Sequence, residues 1–437
     1  MSPKTSRAKP KGPHRSFEEI LARRGNELCL DDVPVARLAE EFGTPVYVYS
    51  RTALRERAGR FRAAFRGTPH LIAYSIKSNM NLAVVRSFVD LGCGIDVTSL
   101  GELERALLAG TDPAQIVYSG VGKRPDEIDR ALKVGIAMFN VESLDELDTI
   151  DARAPAAGTV APSSFRVNPN VDARTHPNIS TGLRSAKFGI PIEEAPEIYA
   201  RAKSLPHIRA IGIDCHIGSQ LTSLEPIRDA LLKVKEAVLE LRSAGHSLEM
   251  IDVGGGLGVE YSGSDHPPTP EAYAQMVTEV VGGLDATIVC EPGRSLTAGA
   301  GILISRVLYQ KENVDKRFVI CDAAMNDYVR PAMYGSVPRF AFEPDRGRAE
   351  TAADLVGPVC ETTARFLKGV PLPPVQNGDL VVLRDVGAYG FCMSSTYNSR
   401  PLLAEVMVDG PRVELVRRRQ TLEETWHGER MPDWDTS

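Results

Sequence analysis

The stretch GCGIDVTSLGELERALLAGTDPAQIVYS, residues 92–119, decides the architecture of this chain. It opens on a short apolar run at 92–97, passes through an amphipathic segment at 100–110 and closes on a second apolar run at 116–119. Ser99 and Glu102 form an S-x-x-E capping box, in which the serine oxygen takes an orphan helix N–H and the glutamate reaches back. Strand, capped helix and strand make one βα unit, and a helix crossing over between two strands leaves them parallel.

The same alternation extends in both directions. Further strands are expected at 71–75 (LIAYS), 136–140 (IAMFN), 163–167 (SSFRV), 209–215 (RAIGIDC), 249–253 (EMIDV) and 286–291 (ATIVCE). Amphipathic stretches at 124–133, 143–153, 193–204, 224–244 and 270–283 separate them, the second opening on another capping box, Ser143-x-x-Glu146. Eight strands with intervening helices between residues 49 and 296 predict a (β/α)8 TIM-like barrel in an α/β chain, not an open sheet.

Past residue 296 the period changes. Alternating runs at 302–309, 317–321, 379–385, 403–408 and 412–416, broken by Gly and Pro, predict a C-terminal all-β domain over 297–437. An N-terminal segment, 27–48, with the strand-like VYVYS run ending at Ser50, is expected to pack with that domain. Residues 1–15 carry Lys4, Arg7, Lys9, Lys11 and Arg15 without an acid among Pro, Ser and Gly, which predicts a disordered basic arm.

Composition narrows the function. The chain has 437 residues with a net charge of −6 and 43% hydrophobic residues, so no global basic field points to nucleic acid or a membrane surface. No window approaches the ~18 apolar residues of a membrane span, and no apolar signal core opens the chain, so a cytoplasmic enzyme is expected. Seven widely spaced cysteines without a C-x-x-C pair argue against a disulfide framework or a zinc site, and no metal is expected.

Barrel active sites are built at the carboxyl ends of the strands. Those positions hold Lys77, Asp96 and Ser99, Asn140, Asn168, His216 and Ser219, Gly254-Gly255-Gly256, and Glu291-Pro292-Gly293-Arg294. The triple glycine suits a backbone that approaches a phosphate closely, although a tight βα turn would use it equally well. Val259 breaks G-x-G-x-x-G, and no G-x-x-x-x-G-K-[ST] occurs, so the nucleotide motifs are missing. A lysine past an apolar strand is ordinarily a solvated charge. Beside a phosphate cradle, though, an amine at a barrel rim is what a pyridoxal-phosphate Schiff base requires. Glu291 beside the pyridine nitrogen would then make the ring a stronger electron sink, His216 offers a flat ring for stacking, and Ser219 can hydrogen-bond the phosphate.

The strings AYSIKSN (73–79), DVTSLGEL (96–103), RVNPNVDARTHPNISTGLRSAKFGI (166–190), HIGSQ (216–220), DVGGGLGV (252–259), EPGR (291–294), RPAMYG (330–335), VGPVCE (356–361) and GAYGFCMSSTYNSRP (387–401) carry a specific resemblance. In these the chain resembles the pyridoxal-phosphate decarboxylases of the alanine-racemase-like barrel fold, and among them the diaminopimelate decarboxylase family. The resemblance implies a pyridoxal 5'-phosphate cofactor, decarboxylation of meso-2,6-diaminopimelate to L-lysine, and a homodimer with active sites shared between subunits. Lys77 would be the Schiff-base lysine, with Asp96, His216 and Glu291 around the cofactor. Ser219, Gly255, Gly256, Gly293, Arg294 and Tyr389 would surround its phosphate. Arg294, Arg330, Tyr334 and Tyr389 would face the substrate, the guanidinium forks suiting a distal carboxylate. Cys360 and Glu361 would enter a neighbouring subunit's site, the thiol as proton donor and the carboxylate for the distal ammonium. Asn168 and the 172–187 loop, with Thr175, His176 and Lys187, either cover the site or form a solvated loop. One departure stands out: Thr362-Thr363-Ala364 replaces the family's Ser-Gly-Asp, so a carboxylate expected at 364 is missing.

Overall fold

The computed structural model describes residues 20–173, 175–176, 179–261, 265–314, 316–347 and 351–435; the expected 1–15 arm lies outside them. The barrel strands are His70–Ser75 (β1), Gly94–Val97 (β2), Ile116–Tyr118 (β3), Met138–Val141 (β4), Ala161–Asn168 (β5), Ile208–Asp214 (β6), Met250–Asp252 (β7) and Thr287–Cys290 (β8). All pairings around the ring are parallel, and it closes where Val289 of β8 faces Leu71 of β1 and Phe139 of β4 faces Ser163 of β5. Each expected strand of the barrel is present, and each expected amphipathic stretch is a helix, from Leu100–Leu108 to Pro270–Val281.

The capping serines act as expected, but their glutamates reach one residue further back. Ser99 Oγ accepts the Glu102 N–H, whereas Glu102 Oε2 accepts from the Thr98 N–H at 2.7 Å and its hydroxyl at 2.9 Å. Glu146 repeats this with the Glu142 N–H at 3.1 Å. In both places the glutamate ties the strand exit to its helix, which fixes the rim loop.

Inside the ring, Ala73, Val117, Met138, Ile211 and Val289 form a small apolar plug separate from the main core. Side chains on a strand alternate faces, so the residue two positions beyond a plug residue points inward again, one layer nearer the carboxyl rim. Beyond four of the five these are Ser75, Ser119, Asn140 and Glu291, and Asp252 stands likewise beyond Met250; in β6 the register shifts between Ala210 and Gly212, so Ile213 joins the main core and Asp214 lines the cavity. Period 2 therefore converts an apolar floor into a polar layer at the end where chemistry is done.

The C-terminal sheet is built on Gly301–Asn313, which pairs antiparallel with Val46–Ser50, Leu303 facing Tyr47. Val46–Ser50 also pairs parallel with Ala404–Asp409, so this early strand lies inside the late sheet. Glu27–Leu30 instead joins a separate small sheet with Leu21–Arg24 and Val33–Pro34. The five expected strands are present. Phe340–Glu343, Thr351–Val356 and Arg365–Leu372 are additional ones: the first pairs with Leu380–Leu383, the second with Lys316–Cys321, and the second and third with each other.

Candidate active site

A cavity of about 460 Å³ opens between the barrel rim and the β domain. Ser75, Lys77, Ser119, Arg166, His216 and Glu291 line it from the barrel, and Arg330, Tyr334 and Tyr389 from the β domain. Lys77 sits in the turn that follows β1, with Nζ 3.6 Å from Asp96 Oδ2, and Asp96 also accepts from Ser75 Oγ at 2.7 Å. Burial pulls the Lys77 pKa down, but the neighbouring acids, Asp96 foremost, outweigh it and hold the ammonium above its ordinary range.

Glu291 belongs to a buried carboxyl layer. Its Oε1 accepts from Ser119 Oγ at 3.1 Å and Asn140 Nδ2 at 3.3 Å, and the same amide reaches Asp252 Oδ2 at 3.1 Å. Burial, then the neighbouring Asp252 and Asp96, push Glu291 well above the carboxylate range. Burial also raises Asp252, to about 7, against the pull of the Gly254 N–H. Carboxyls crowded this closely cannot all ionise, so the layer stores protons at the floor of the cavity.

His216 is set for a different task. The Gly255 N–H donates to its Nδ1 at 3.1 Å, which leaves the ring proton on Nε2 in the neutral form. Burial, Arg166 and Lys77 hold its pKa well below the ordinary range, so the ring stays neutral and flat. The triple glycine is a packing requirement as well as a loop. A Cβ on Gly255 would lie 2.2 Å from the Glu291 carbonyl, and one on Gly256, at φ +107°, would lie 2.4 Å from that of Gly218. Of these two, Gly256 lines the cavity and Gly255 lies behind it, as Asp96 lies behind Lys77; Gly293 lines it too.

Arg294 crosses the mouth. Its Nε and Nη2 donate to Ser219 Oγ at 3.3 and 3.0 Å, and its guanidinium carbon is 4.6 Å from the Tyr389 ring centroid. Tyr389 sits in the left-handed region at φ 54°. Arg330 is buried, 5.5 Å from the Tyr334 ring, and its Nε has no hydrogen-bond partner among the described residues. Neither arginine forms an ion pair among the described residues, which leaves two desolvated cations lining the same cavity as Lys77 and Glu291.

From the 172–187 loop and its flanks, Ile179, Thr181 and Phe188 line the cavity, and His176 packs edge-on to Tyr334 at 5.7 Å. Asn168, Thr175 and Lys187 do not line it. Asn168 Nδ2 instead donates to the Leu183 carbonyl at 2.9 Å and so ties the loop to β5. Cys360 and Glu361 lie outside the cavity as well. Both are exposed, in the turn before Arg365–Leu372, with the Cys360 N–H donating to Asn398 Oδ1 at 3.1 Å. Among the seven cysteines only Cys360 is exposed. Ala364 is buried against Ala324 and Val359, so the family's carboxylate at this position would be desolvated beside apolar neighbours.

Residues 51–298 match the model of the pyridoxal-dependent decarboxylase family, pyridoxal binding domain. The chain is 48% identical to the diaminopimelate decarboxylase of Pseudomonas aeruginosa, over 94% of this chain and 99% of that one. This chain belongs to the diaminopimelate decarboxylase family. The Haemophilus influenzae member is 47% identical over 92% of this chain and 97% of that one. The family's fold is shared as well: the crystal structure of the Helicobacter pylori enzyme complexed with L-lysine has a TM-score of 0.87 at 42% identity, covering 90% of this chain and 98% of that one.

Several cavity residues escaped the reading of the sequence. Arg166 in β5 donates to Glu142 Oε1 at 2.8 Å, lies 3.8 Å from Asp214 Oδ2 and stacks 4.8 Å over the Phe188 ring. A charge inside the apolar run SSFRV was its only signal, as the acid in RAIGIDC was for Asp214. Ser119 gave none, nor did Tyr261 behind the cavity, because a serine after a strand and a tyrosine in a loop are common anywhere.

Proposed function

We propose that this protein decarboxylates meso-2,6-diaminopimelate to L-lysine and CO₂ with pyridoxal 5'-phosphate as cofactor, as a cytoplasmic homodimer. The observation that carries the reading is the pair Arg294 and Arg330, buried without a carboxylate partner among the described residues and lining one cavity with Lys77 and Glu291. Two unpaired guanidiniums call for an anionic ligand group, and an amino acid with a carboxylate at each end satisfies both walls.

The residues fit the cofactor. Lys77 supplies the amine that bonds its aldehyde, and Gly256, Gly293, Ser219 and Arg294 offer backbone approach and donors for a phosphate. Glu291, raised by burial, holds a proton for a basic ring nitrogen, and neutral His216 presents a face for stacking. Bound there, the cofactor supplies the electron sink that the departing CO₂ requires. The chain's own groups do the rest. Arg330, Arg294 and Tyr334 hold the distal carboxylate and so set which end of the substrate meets Lys77. Arg166 and Phe188 close the side wall against water. Cys360 Sγ of a second copy returns a proton to the carbon that lost CO₂, and Glu361 beside it takes the distal ammonium. Their exposure on the single chain supports this, since an exposed thiol and acid are free to complete another subunit's cavity.

The test is CO₂ release by the holoenzyme from meso-diaminopimelate, L-lysine, L-ornithine and L-arginine at matched concentrations. Diaminopimelate is expected to exceed the others by at least about a hundredfold, the scale on which a site built to pair a charged group rejects an analogue lacking it. Equal turnover of lysine or ornithine would point to a decarboxylase of simpler basic amino acids and overturn the reading. Arg330→Leu is expected to cost about 2–5 kcal/mol of transition-state stabilisation, read from kcat/KM for diaminopimelate, since it leaves a carboxylate buried without its partner. Amino acids that lack the distal carboxylate should lose far less; steady-state kinetics on both classes checks this.

A further inference from the structure

Arg294 and Arg330 converge on one wall, and like charges held close together away from water repel. Tyr261 stands behind both. It follows the β7 loop, is buried and lines no part of the cavity. Its hydroxyl oxygen accepts from Arg294 Nη1 at 2.9 Å. Its ring centroid lies 5.0 Å from the Arg330 guanidinium carbon and 5.8 Å from that of Arg294. The ring is fixed in turn, packed with Ala298, Ala388 and Tyr389, and its backbone N–H donates to Asp265 Oδ2 at 3.2 Å.

We propose that Tyr261 is a positioning residue that spaces Arg294 and Arg330 into a single two-cation receptor for the distal carboxylate of the substrate. The proposal rests on the diaminopimelate reading above. The electron-rich ring face offsets the charge of both guanidiniums where no carboxylate does so. The hydroxyl commits Arg294 Nη1, while Ser219 takes Nε and Nη2, which leaves this guanidinium with one orientation. Arg330 keeps its buried Nε without a hydrogen-bond partner among the described residues. Receptor geometry is thereby set before the substrate arrives, and the ordering cost falls on folding, not on binding.

Two ligands separate this role from a merely structural one. L-lysine carries the distal carboxylate and cadaverine lacks it, whereas both present an amine to the cofactor end. In holoenzyme saturated with cofactor, Tyr261→Phe keeps the ring and loses the hydroxyl. It is expected to raise KM for diaminopimelate and the inhibition constant of L-lysine together, roughly tenfold, the scale of one hydrogen bond to a charged group. The inhibition constant of cadaverine, kcat and the cofactor's visible absorbance should stay near wild type. Tyr261→Leu removes the ring as well and should widen the lysine effect to roughly a hundredfold. A wild-type preference for lysine over cadaverine that survives in both variants would overturn the role of Tyr261 alone. Equal inhibition by lysine and cadaverine in the wild type would overturn the carboxylate reading and this proposal with it. Parallel loss of both ligands and of bound cofactor would mark Tyr261 as packing only, and overturn the proposal too.

Discussion

Lys77→Ala is expected to lower CO₂ release from diaminopimelate by several orders of magnitude while leaving the fold intact. The amine that bonds the cofactor is lost, and no other lysine lines the cavity among the described residues. The structural cost is small because Lys77 stands at the rim with its side chain about a third exposed, and its contact with the buried Asp96 is long, at 3.6 Å, while Ser75 Oγ still donates to Asp96. Removing the ammonium leaves Asp96, Asp252 and Glu291 with less positive charge nearby. Burial already holds Asp252 and Glu291 above the carboxylate range, and losing a neighbouring cation favours their neutral forms further, which limits the added repulsion. Circular-dichroism melts of wild type and variant should nearly coincide. Borohydride reduction of the wild-type holoenzyme should leave the cofactor on the peptide carrying Lys77, and the variant should carry none. Turnover near the wild-type rate would overturn the assignment of this lysine.

Mixing Lys77→Ala with Cys360→Ala is expected to restore activity that neither variant has alone. If each cavity takes its lysine from one chain and its thiol from the other, a mixed dimer places both defects in one cavity and leaves the second intact. Random pairing makes half the dimers mixed, so recovery should approach roughly a quarter of wild type. Were both residues to act within one chain, every cavity in the mixture would lack one of them and nothing would be recovered. Co-purification of differently tagged chains establishes that subunits have exchanged. With exchange established, an absence of recovered activity would remove Cys360 and Glu361 from the site.

Much of the molecule was legible before its structure. The barrel was readable because helix and strand periods are local: a run such as IAMFN beside a capped amphipathic stretch identifies itself from a few neighbouring residues. The cavity's lower wall followed from the same period. Once Ala73, Met138 and Val289 face inward, Ser75, Asn140 and Glu291 must also face inward, two residues nearer the rim. Lys77 and His216 stood out for a related reason, as polar groups at strand ends where a barrel gathers its loops.

The β domain was less legible. Thr351–Val356 gains its stability by pairing with Lys316–Cys321 and Arg365–Leu372, and strand preference depends on such partners more than on the run itself. Ala364 likewise reads as a lost carboxylate until its burial against Ala324 and Val359 is seen.

The sequence by itself therefore determined the barrel, its order of strands and the rim positions of Lys77, His216 and Glu291, all set by spacing along the chain. Only the tertiary structure decided that Val46–Ser50 lies between Gly301–Asn313 and Ala404–Asp409, that Arg166 leans between Glu142 and Asp214, and that Tyr261 stands under two arginines. Those arrangements join residues far apart in the chain. Their energies come from burial, pairing and charge at contact, which no local period records.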